Sequence, residues 1–387
     1  MGGTINKRIL TLDGLRGVAI AMVLLSHSLG TFPVDDWSWY RWLEPLRGFF
    51  NGEYGVEIFF VLSGYLITSI LLREYDAIGK IDIRAFYIRR ILRIFPPFYL
   101  FLLFVVALGW MGVLQISGTV FAFAATHLLN YGQAILLFFR QPGIDSPDYW
   151  FVGHLWSLSM EEQFYWMWPL TLLFLLRARW YGILAASVLA LPLIRVASYF
   201  LFPGLRGQLM MMLHTASDGI FSGCLLAICL ARHPQLCRKL LLSPWAVAGV
   251  VFYFYEIDPF VGLAMPRGYG LLVGTTLAVG AITLIVANLV LQREDTWYNR
   301  LLGSGPLVFL GQISYSVYLW QQIYLTSLNT TFLGKWPLNL VAAVVTGWVS
   351  YRLVELPCIR IKDTYFPSRT KAAPVVMPEI CVEPSPL

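Results

Sequence analysis

Charge is what this chain most conspicuously has little of. Of its 387 residues only 13% are Asp, Glu, Lys or Arg, against roughly 25% in a soluble domain. With 58% hydrophobic residues, an ordinary water-soluble globule is excluded, and the solvent for most of the chain is lipid. Cysteine is sparse as well. Cys224, Cys229, Cys237, Cys358 and Cys381 form no C-x-x-C pair and mostly lie in or beside apolar runs, which excludes a disulfide framework and a zinc site. No His/Cys/carboxylate set has metal-ligand spacing, so no metal is expected. No internal repeat stands out, which counts against a transporter built from inverted halves. A cleavable signal peptide is not expected either, because Asp13 and Arg16 interrupt the first apolar run and make it a signal anchor. The excess of six positive charges does not call for nucleic acid, since a basic balance in a membrane protein comes from its cytoplasmic loops.

Long apolar runs are what the chain does have. They cover about 14–31, 55–72, 95–114, 118–139, 159–176, 181–203, 211–231, 244–256, 269–291, 306–327 and 338–355, eleven candidates for spanning helices. The run at 118–139 is interrupted by His127, Asn130, Gly132 and Gln133. If it does not cross and both termini are cytoplasmic, twenty of the 28 Lys/Arg residues fall inside and six outside, with Arg16 and Arg195 in the membrane. If it crosses, every later loop inverts and the pairs Arg177/Arg179 and Arg238/Lys239 land outside, against the positive-inside rule. The expected fold is therefore an all-α integral membrane protein of about ten transmembrane helices. Both termini are cytoplasmic, and a re-entrant or interfacial segment lies near 118–139. A membrane domain over 1–363 is followed by a Pro-rich, aperiodic tail, 364–387, expected to be disordered.

Against this background the few polar residues inside the runs carry the functional reading, because charged groups in a membrane helix are costly and face the protein interior. Arg16 and His27 are eleven residues apart in LDGLRGVAIAMVLLSH. That is about 1100° of rotation, hence one helix face, with roughly 16 Å of rise between them. A phosphate grip at one end and an acid/base group at the other would suit a long, thin substrate with a charged head. The blander alternative is that Arg16 snorkels to lipid phosphate and His27 is a satisfied core histidine. His27, Glu57 near the outer end of the second helix, and Glu161 at the start of the fourth are expected at a common depth. A histidine near carboxylates is what general acid/base chemistry requires. Glu161 and Glu162 also follow Ser157 and Ser159, so helix capping is the competing reading. Arg84, Arg89, Arg90 and Arg93 precede the third helix and would bind either anionic lipid or a polyphosphate. Arg195 and Asp218 are expected to form a buried bridge, while His127 and His154 are expected at the surface of the outer loop.

These residues resemble the acyltransferase 3 family of bacterial membrane O-acyltransferases over nearly the whole membrane region. The most specific element is the arginine and histidine separated by ten residues, here Arg16 and His27. GVEIFFVLSGYLIT, the Arg-x-x-Arg at Arg90 and Arg93, WSLSMEEQFY, ISYSVYLW and YRLVELP follow in family order. The chain departs from the pattern at Glu57, where Asp is commoner, at Ala216, where an arginine often precedes Asp218, and at Gln321, where histidine often follows YLW. It is too short to be expected to carry the C-terminal hydrolase-like domain of some relatives. The resemblance implies acyl transfer, from acetyl-CoA as co-substrate and with no permanently bound cofactor, to a hydroxyl of an envelope or secreted glycan or glycolipid at the bacterial inner membrane. It implies a catalytic set of His27, Glu161 and Asp13, an acyl-CoA grip of Arg16, Arg90 and Arg93, and acceptor contacts from Glu57, Ser63, Tyr65, Gln163, Tyr315 and Tyr318. His27 would deprotonate the acceptor or carry the acyl group transiently. The rival from another class is a proton-coupled glycolipid or solute transporter in which His27, Glu57 and Glu161 form a proton relay.

Overall fold

In the computed structural model, residues 3–31, 51–141, 143–144, 148–241, 249–250, 253–254, 274–291 and 296–367 are described, and every regular element among them is helical. Nine longer helices carry the architecture: α1 (Gly3–Ser28), α2 (Gly52–Ile78), α3 (Ile83–Trp110), α4 (Leu155–Ala178), α5 (Tyr181–Leu201), α6 (Asp218–Arg232), α7 (Thr275–Leu291), α8 (Gly305–Tyr324) and α9 (Leu338–Ser350). Their boundaries follow local chemistry. Asn51 caps α2 by accepting from the backbone N–H of Glu53 and Tyr54, and Gly79 ends it with φ of 70°, a conformation glycine adopts without penalty. Asp82 then caps α3 through the N–H of Ala85.

Five helical stretches among the described residues are long and apolar enough to cross a membrane: Leu10–Ser28, Gly52–Ile78, Ile83–Trp110, Tyr181–Leu201 and Leu338–Tyr365. A sixth is obtained if Asp218–Arg232 and Pro234–Leu240, bent by 118° at the break, are one span. α4 and α8 have the length but not the hydropathy, because SLSMEEQ and ISYSVYLWQQ place polar side chains along them. Those polar side chains are largely buried inside the bundle, as membrane helices require. Most of the run at 244–256, the first part of 269–291 and the tail beyond 367 lie outside the described residues, as do residues 145–147.

Two close helix pairs set the frame. α1 and α8 touch backbone to backbone: a Cβ added at Gly17 or Gly311 would overlap the carbonyl oxygen of Leu307 or of Asp13 respectively. α2 and α6 do the same, Gly64 against the carbonyl of Ile220 and Gly223 against that of Val61. Lipid offers no hydrophobic drive for helices to associate, so small residues that admit close packing are what holds such pairs together. Apolar side chains fill the remaining space. Ile20, Val23 and Leu24 of α1 pack with Phe98 and Phe101 of α3 and Val317 of α8, while Phe60 and Leu71 of α2 pack with Phe164 and Trp168 of α4.

Several sequence expectations change in detail. The segment 118–139 is not one helix but Gly118–Ala125, a 3-10 turn at Leu129–Tyr131 and Gly132–Phe138. Its first arm runs back along α3. Leu114 N–H donates to Leu108, Tyr99 donates to the carbonyl of Ala125, and the His127 ring stacks on Phe98 at 4.3 Å. The return arm ends with Leu137 against Gly204, just beyond α5. Neither of its two helices, of 8 and 7 residues, is long enough to span a membrane by itself, which is compatible with both expected arrangements, re-entrant and interfacial. The run at 211–231 is broken at Ser217, with a short helix Leu213–Ala216 ahead of α6. The basic cluster does not precede the third helix but forms its first turns, since α3 begins at Ile83. α9 continues through a π turn, Tyr351–Glu355, into Leu356–Tyr365; such turns often mark functional positions.

Candidate active site

α8 is the spine of the site. Its sequence from Ser314 to Gln322 exposes almost nothing to the surroundings, with Ser314, Ser316 and Gln321 fully buried. A polar group inside a bundle has to find a partner, and each of these does. Arg16 on α1 donates through Nη2 to Ser314 Oγ at 3.1 Å. Two turns further along α8, His27 Nδ1 lies 2.8 Å from Gln321 Oε1. The two helices run in the same direction, so each end of the Arg16–His27 stripe read from the sequence meets a polar residue of α8.

The partners of His27 differ from expectation. Among the described residues no carboxylate is hydrogen-bonded to it; the Gln321 amide holds it, and that amide donates through Nε2 to Gln322 Oε1 at 3.1 Å. Because an amide oxygen only accepts, Nδ1 of His27 carries the proton and Nε2 keeps its lone pair. Trp150 packs edge-on against the ring at 6.5 Å between centroids. Gln321 was noted in the sequence only as a departure from the family pattern, and that departure is the residue that sets the histidine.

Glu161 sits nearer the Arg16 end. It is not at a helix start: α4 begins at Leu155, so the capping role expected for Glu161 and Glu162 is ruled out by the register. Its Oε1 accepts from Ser63 Oγ at 2.7 Å, and the Tyr165 hydroxyl reaches Ser63 Oγ at 3.2 Å and Glu161 Oε2 at 3.4 Å. Arg90 lies over the Tyr165 ring at 5.3 Å. The charges of Arg93, Asp13, Glu355 and Glu161 all act on Arg16, so these groups form one cluster. Glu355, buried and accepting from Ser316 Oγ at 2.7 Å, was missed as a site residue. The YRLVELP stretch carried it, but as the last charge of an apolar run it read as a boundary. Arg16 Nε is buried without a partner, an open donor in the middle of this cluster. Arg89 is engaged elsewhere, 3.6 Å from Glu74, the carboxylate that also accepts from Asp82 N–H.

The remaining candidates separate. Glu57 is not with His27: its Oε2, buried without a partner, lies against Gly219 beside the fully buried Arg195–Asp218 ion pair. That pair is present as expected, with Arg195 Nε also donating to the carbonyl of Thr215 at 2.7 Å and Thr276 bonded to Asp218. Gln163 and Asn130 exchange amide hydrogen bonds at 2.7 and 3.1 Å, and Gln163 also donates to the carbonyl of His127, which pins the turn of the hairpin to α4. Tyr315 donates to the carbonyl of Ile94, and Tyr318 to the carbonyl of His154. Tyr65 is half-buried on α2, two residues from Ser63. His127 and His154, expected at the surface, are 7% and 5% exposed. Both are buried by the hairpin and the Trp150–Gly153 turn folding inward, which hydropathy windows do not register. Among the described residues no His/Cys/carboxylate group could hold a metal.

The layout is thus a basic cluster with Glu161, Glu355 and Asp13 at one level and a tautomer-fixed histidine about three helical turns away. The family model for the acyltransferase domain matches residues 9–354, an interval that contains all of these groups but Glu355, which directly follows it. The chain belongs to the acyltransferase 3 family. It is similar to O-acetyltransferase OatA of Staphylococcus aureus strain NCTC 8325 / PS 47 and to that of strain COL, each 28% identical over 374 residues. Those alignments cover 89% of this chain and 56% of each relative, so it spans little more than half the length of these relatives. No solved structure matches the chain. Family and apolar helices together make this acyltransferase-family chain a multi-pass membrane protein.

Proposed function

We propose that this protein is a membrane O-acyltransferase that moves an acetyl group from acetyl-CoA, supplied from the cytoplasm, to a hydroxyl of an envelope or secreted glycan or glycolipid. The observation that carries the reading is the matched pair of stripes, Arg16 on Ser314 and His27 on Gln321. Acetyl-CoA has a polyphosphate head and a thioester at the end of an extended arm, and the spacing of roughly 16 Å along α1 suits both ends at once. Arg16, Arg90 and Arg93 hold the phosphates. His27 Nε2 takes the proton of the acceptor hydroxyl as its oxygen attacks the thioester carbon. The carbon–sulfur bond breaks, and the proton passes from imidazolium to the leaving thiolate. The same free Nε2 would serve if the acyl group rested on His27 first. Glu161, with Ser63 and Tyr165, and Asp13 supply negative charge beside the arginines, and Glu355 joins them.

The reading includes about ten spans with both termini cytoplasmic, in the bacterial inner membrane; the break of 118–138 into helices of 8 and 7 residues, each too short to span, supports that count. Membrane lipid surrounds the bundle, and nucleic acid has no part. Mass spectrometry of surface glycans from cells with and without the gene tests the function. Loss of one acetyl mass from a glycan is expected, and identical glycan spectra with intact export would contradict it. A change in glycan amount without a change in acylation would instead favour the transporter reading.

A further inference from the structure

His154 is a buried imidazole that faces the same helix as the half-buried His27. It sits where the Trp150–Gly153 turn joins α4, 5% exposed. Its ring packs edge-on against Phe101 at 5.7 Å and Tyr318 at 5.4 Å. Nε2 is 3.1 Å from the carbonyl oxygen of Leu319. A carbonyl only accepts, so Nε2 carries the proton and Nδ1 is left with a lone pair. That Nδ1 is buried and has no hydrogen-bond partner. The orientation is not accidental, because the His154 backbone carbonyl is also held, by the hydroxyl of Tyr318 at 3.0 Å and by Ser157 Oγ at 3.1 Å. Turning the ring over would give up the bond to Leu319. An acceptor kept dry and unpaired costs on the order of 1–3 kcal/mol, and such groups in a fixed setting ask for an explanation.

The neighbourhood supplies one. Gln321 and Leu319, the partners of His27 and His154, are two residues apart on α8. Both rings are fixed the same way, each donating one N–H to α8, at Gln321 and at Leu319. Trp150, four residues before His154, packs on His27 and is 53% exposed, so it is the exposed side chain adjoining the pair. A sugar brings hydroxyls that donate at several positions, and two imidazoles with free lone pairs can take two of them.

We infer that His154 is an acceptor-binding residue: its Nδ1 receives a hydrogen bond from a second hydroxyl of the polyol whose first hydroxyl faces His27. This rests on the acyl-transfer reading and names what selects the acceptor within it. The ligand class is a neutral polyhydroxylated sugar, bound as a hydrogen-bond donor. A bond of this kind, lost while the rest of the site stays intact, weakens acceptor binding by about 2- to 12-fold.

Two substitutions separate the two ring nitrogens. His154→Gln puts an amide N–H where Nε2 was, keeping the bond to Leu319, and leaves nothing at the Nδ1 position. His154→Asn places its amide near the Nδ1 position, where the oxygen can accept, and loses the bond to Leu319. With purified full-length protein, acetyl-CoA and envelope glycan from cells lacking the gene, His154→Gln should raise the KM for glycan by about 2- to 12-fold and leave that for acetyl-CoA unchanged. His154→Asn should keep the glycan KM near wild type while lowering the melting temperature. A merely structural imidazole predicts the reverse order. Wild-type glycan KM in His154→Gln, or equal rises in both variants, overturns the inference. If the wild-type protein itself consumes no acetyl-CoA with this glycan, the acyl-transfer reading fails and the inference falls with it.

Discussion

Replacing Gln321 by Leu removes the only hydrogen bond that holds His27 among the described residues, and its consequence can be sized. In the native arrangement Gln321 Oε1 accepts from His27 Nδ1 at 2.8 Å, and Gln321 Nε2 is itself held by Gln322 Oε1 at 3.1 Å. The second bond fixes which way the amide faces, and hence which imidazole nitrogen is protonated. Leucine has similar bulk but offers no acceptor, so a buried Nδ1–H is left unpaired at a cost of about 1–3 kcal/mol. The ring escapes that cost by moving its proton to Nε2, which removes the lone pair the reaction needs. At 1.36 kcal/mol per tenfold, kcat should fall by about 5- to 150-fold with the KM for acetyl-CoA unchanged. Gln322→Leu should fall less, by about 2- to 12-fold, since it frees one ordinary hydrogen bond and lets the amide turn. Gln321→Glu should retain far more activity than Gln321→Leu, because a carboxylate also accepts from Nδ1–H and stabilises imidazolium. Single-turnover acetyl transfer by the purified variants is the assay. Equal rates for wild type and Gln321→Leu would refute the claim that Gln321 sets the histidine.

Arg93→Ala, and more strongly Arg16→Ala with Arg90→Ala, should raise the acetyl-CoA concentration needed for half-maximal rate with little change in acceptor dependence, because a phosphate contact is made equally in ground and transition states; calorimetry showing normal acetyl-CoA binding would reduce the cluster to a lipid anchor. Glu161→Gln removes a negative charge from beside Arg16 and Arg90, so it should lower the acetyl-CoA concentration needed for half-maximal rate with turnover little changed, and a pure turnover defect would contradict it. Gly311→Val forces a side chain into the carbonyl of Asp13, so α1 and α8 must part; yield and thermal stability in detergent should drop, whereas Gly118→Val, where an added Cβ meets nothing, should be neutral on both counts. A cysteine at Lys80 should be protected from an impermeant thiol reagent in intact cells and one at Arg140 should react, and protection at Arg140 would mean that the hairpin crosses.

The Arg16–His27 stripe was legible because helical period and the rarity of charge inside lipid both point at the same two residues. What they bind was not. Ser314, Gln321 and Glu355 are about 300 positions away, and nothing local marks one polar residue of ISYSVYLWQQ as the partner of another. The gathering of His27, Glu57 and Glu161 failed for a related reason: common depth in a membrane does not imply common position around a bundle. Glu57 faces α6 and the Arg195–Asp218 pair, while Glu161 faces Ser63. The Arg195–Asp218 bridge was legible because two isolated opposite charges at one depth have few other ways to be satisfied. His154 was misread because a polar loop flanking an apolar run is ordinarily outside, and only the inward fold of the 118–138 hairpin and the Trp150 turn covers it. Helix breaks at Ser217 and Tyr351–Glu355 carry no glycine or proline signal at the break itself, so periodicity ran straight through them.

The most direct test of the account is acetyl transfer by His27→Ala, measured in purified, folded protein reconstituted in lipid with acetyl-CoA and envelope glycan. General-base assistance is worth about 10² to 10⁴ in rate, so transfer should fall by at least about 10² while acetyl-CoA still binds through the arginine cluster. Transfer near the wild-type rate would contradict the account, for then the histidine at the far end of the stripe is only packing.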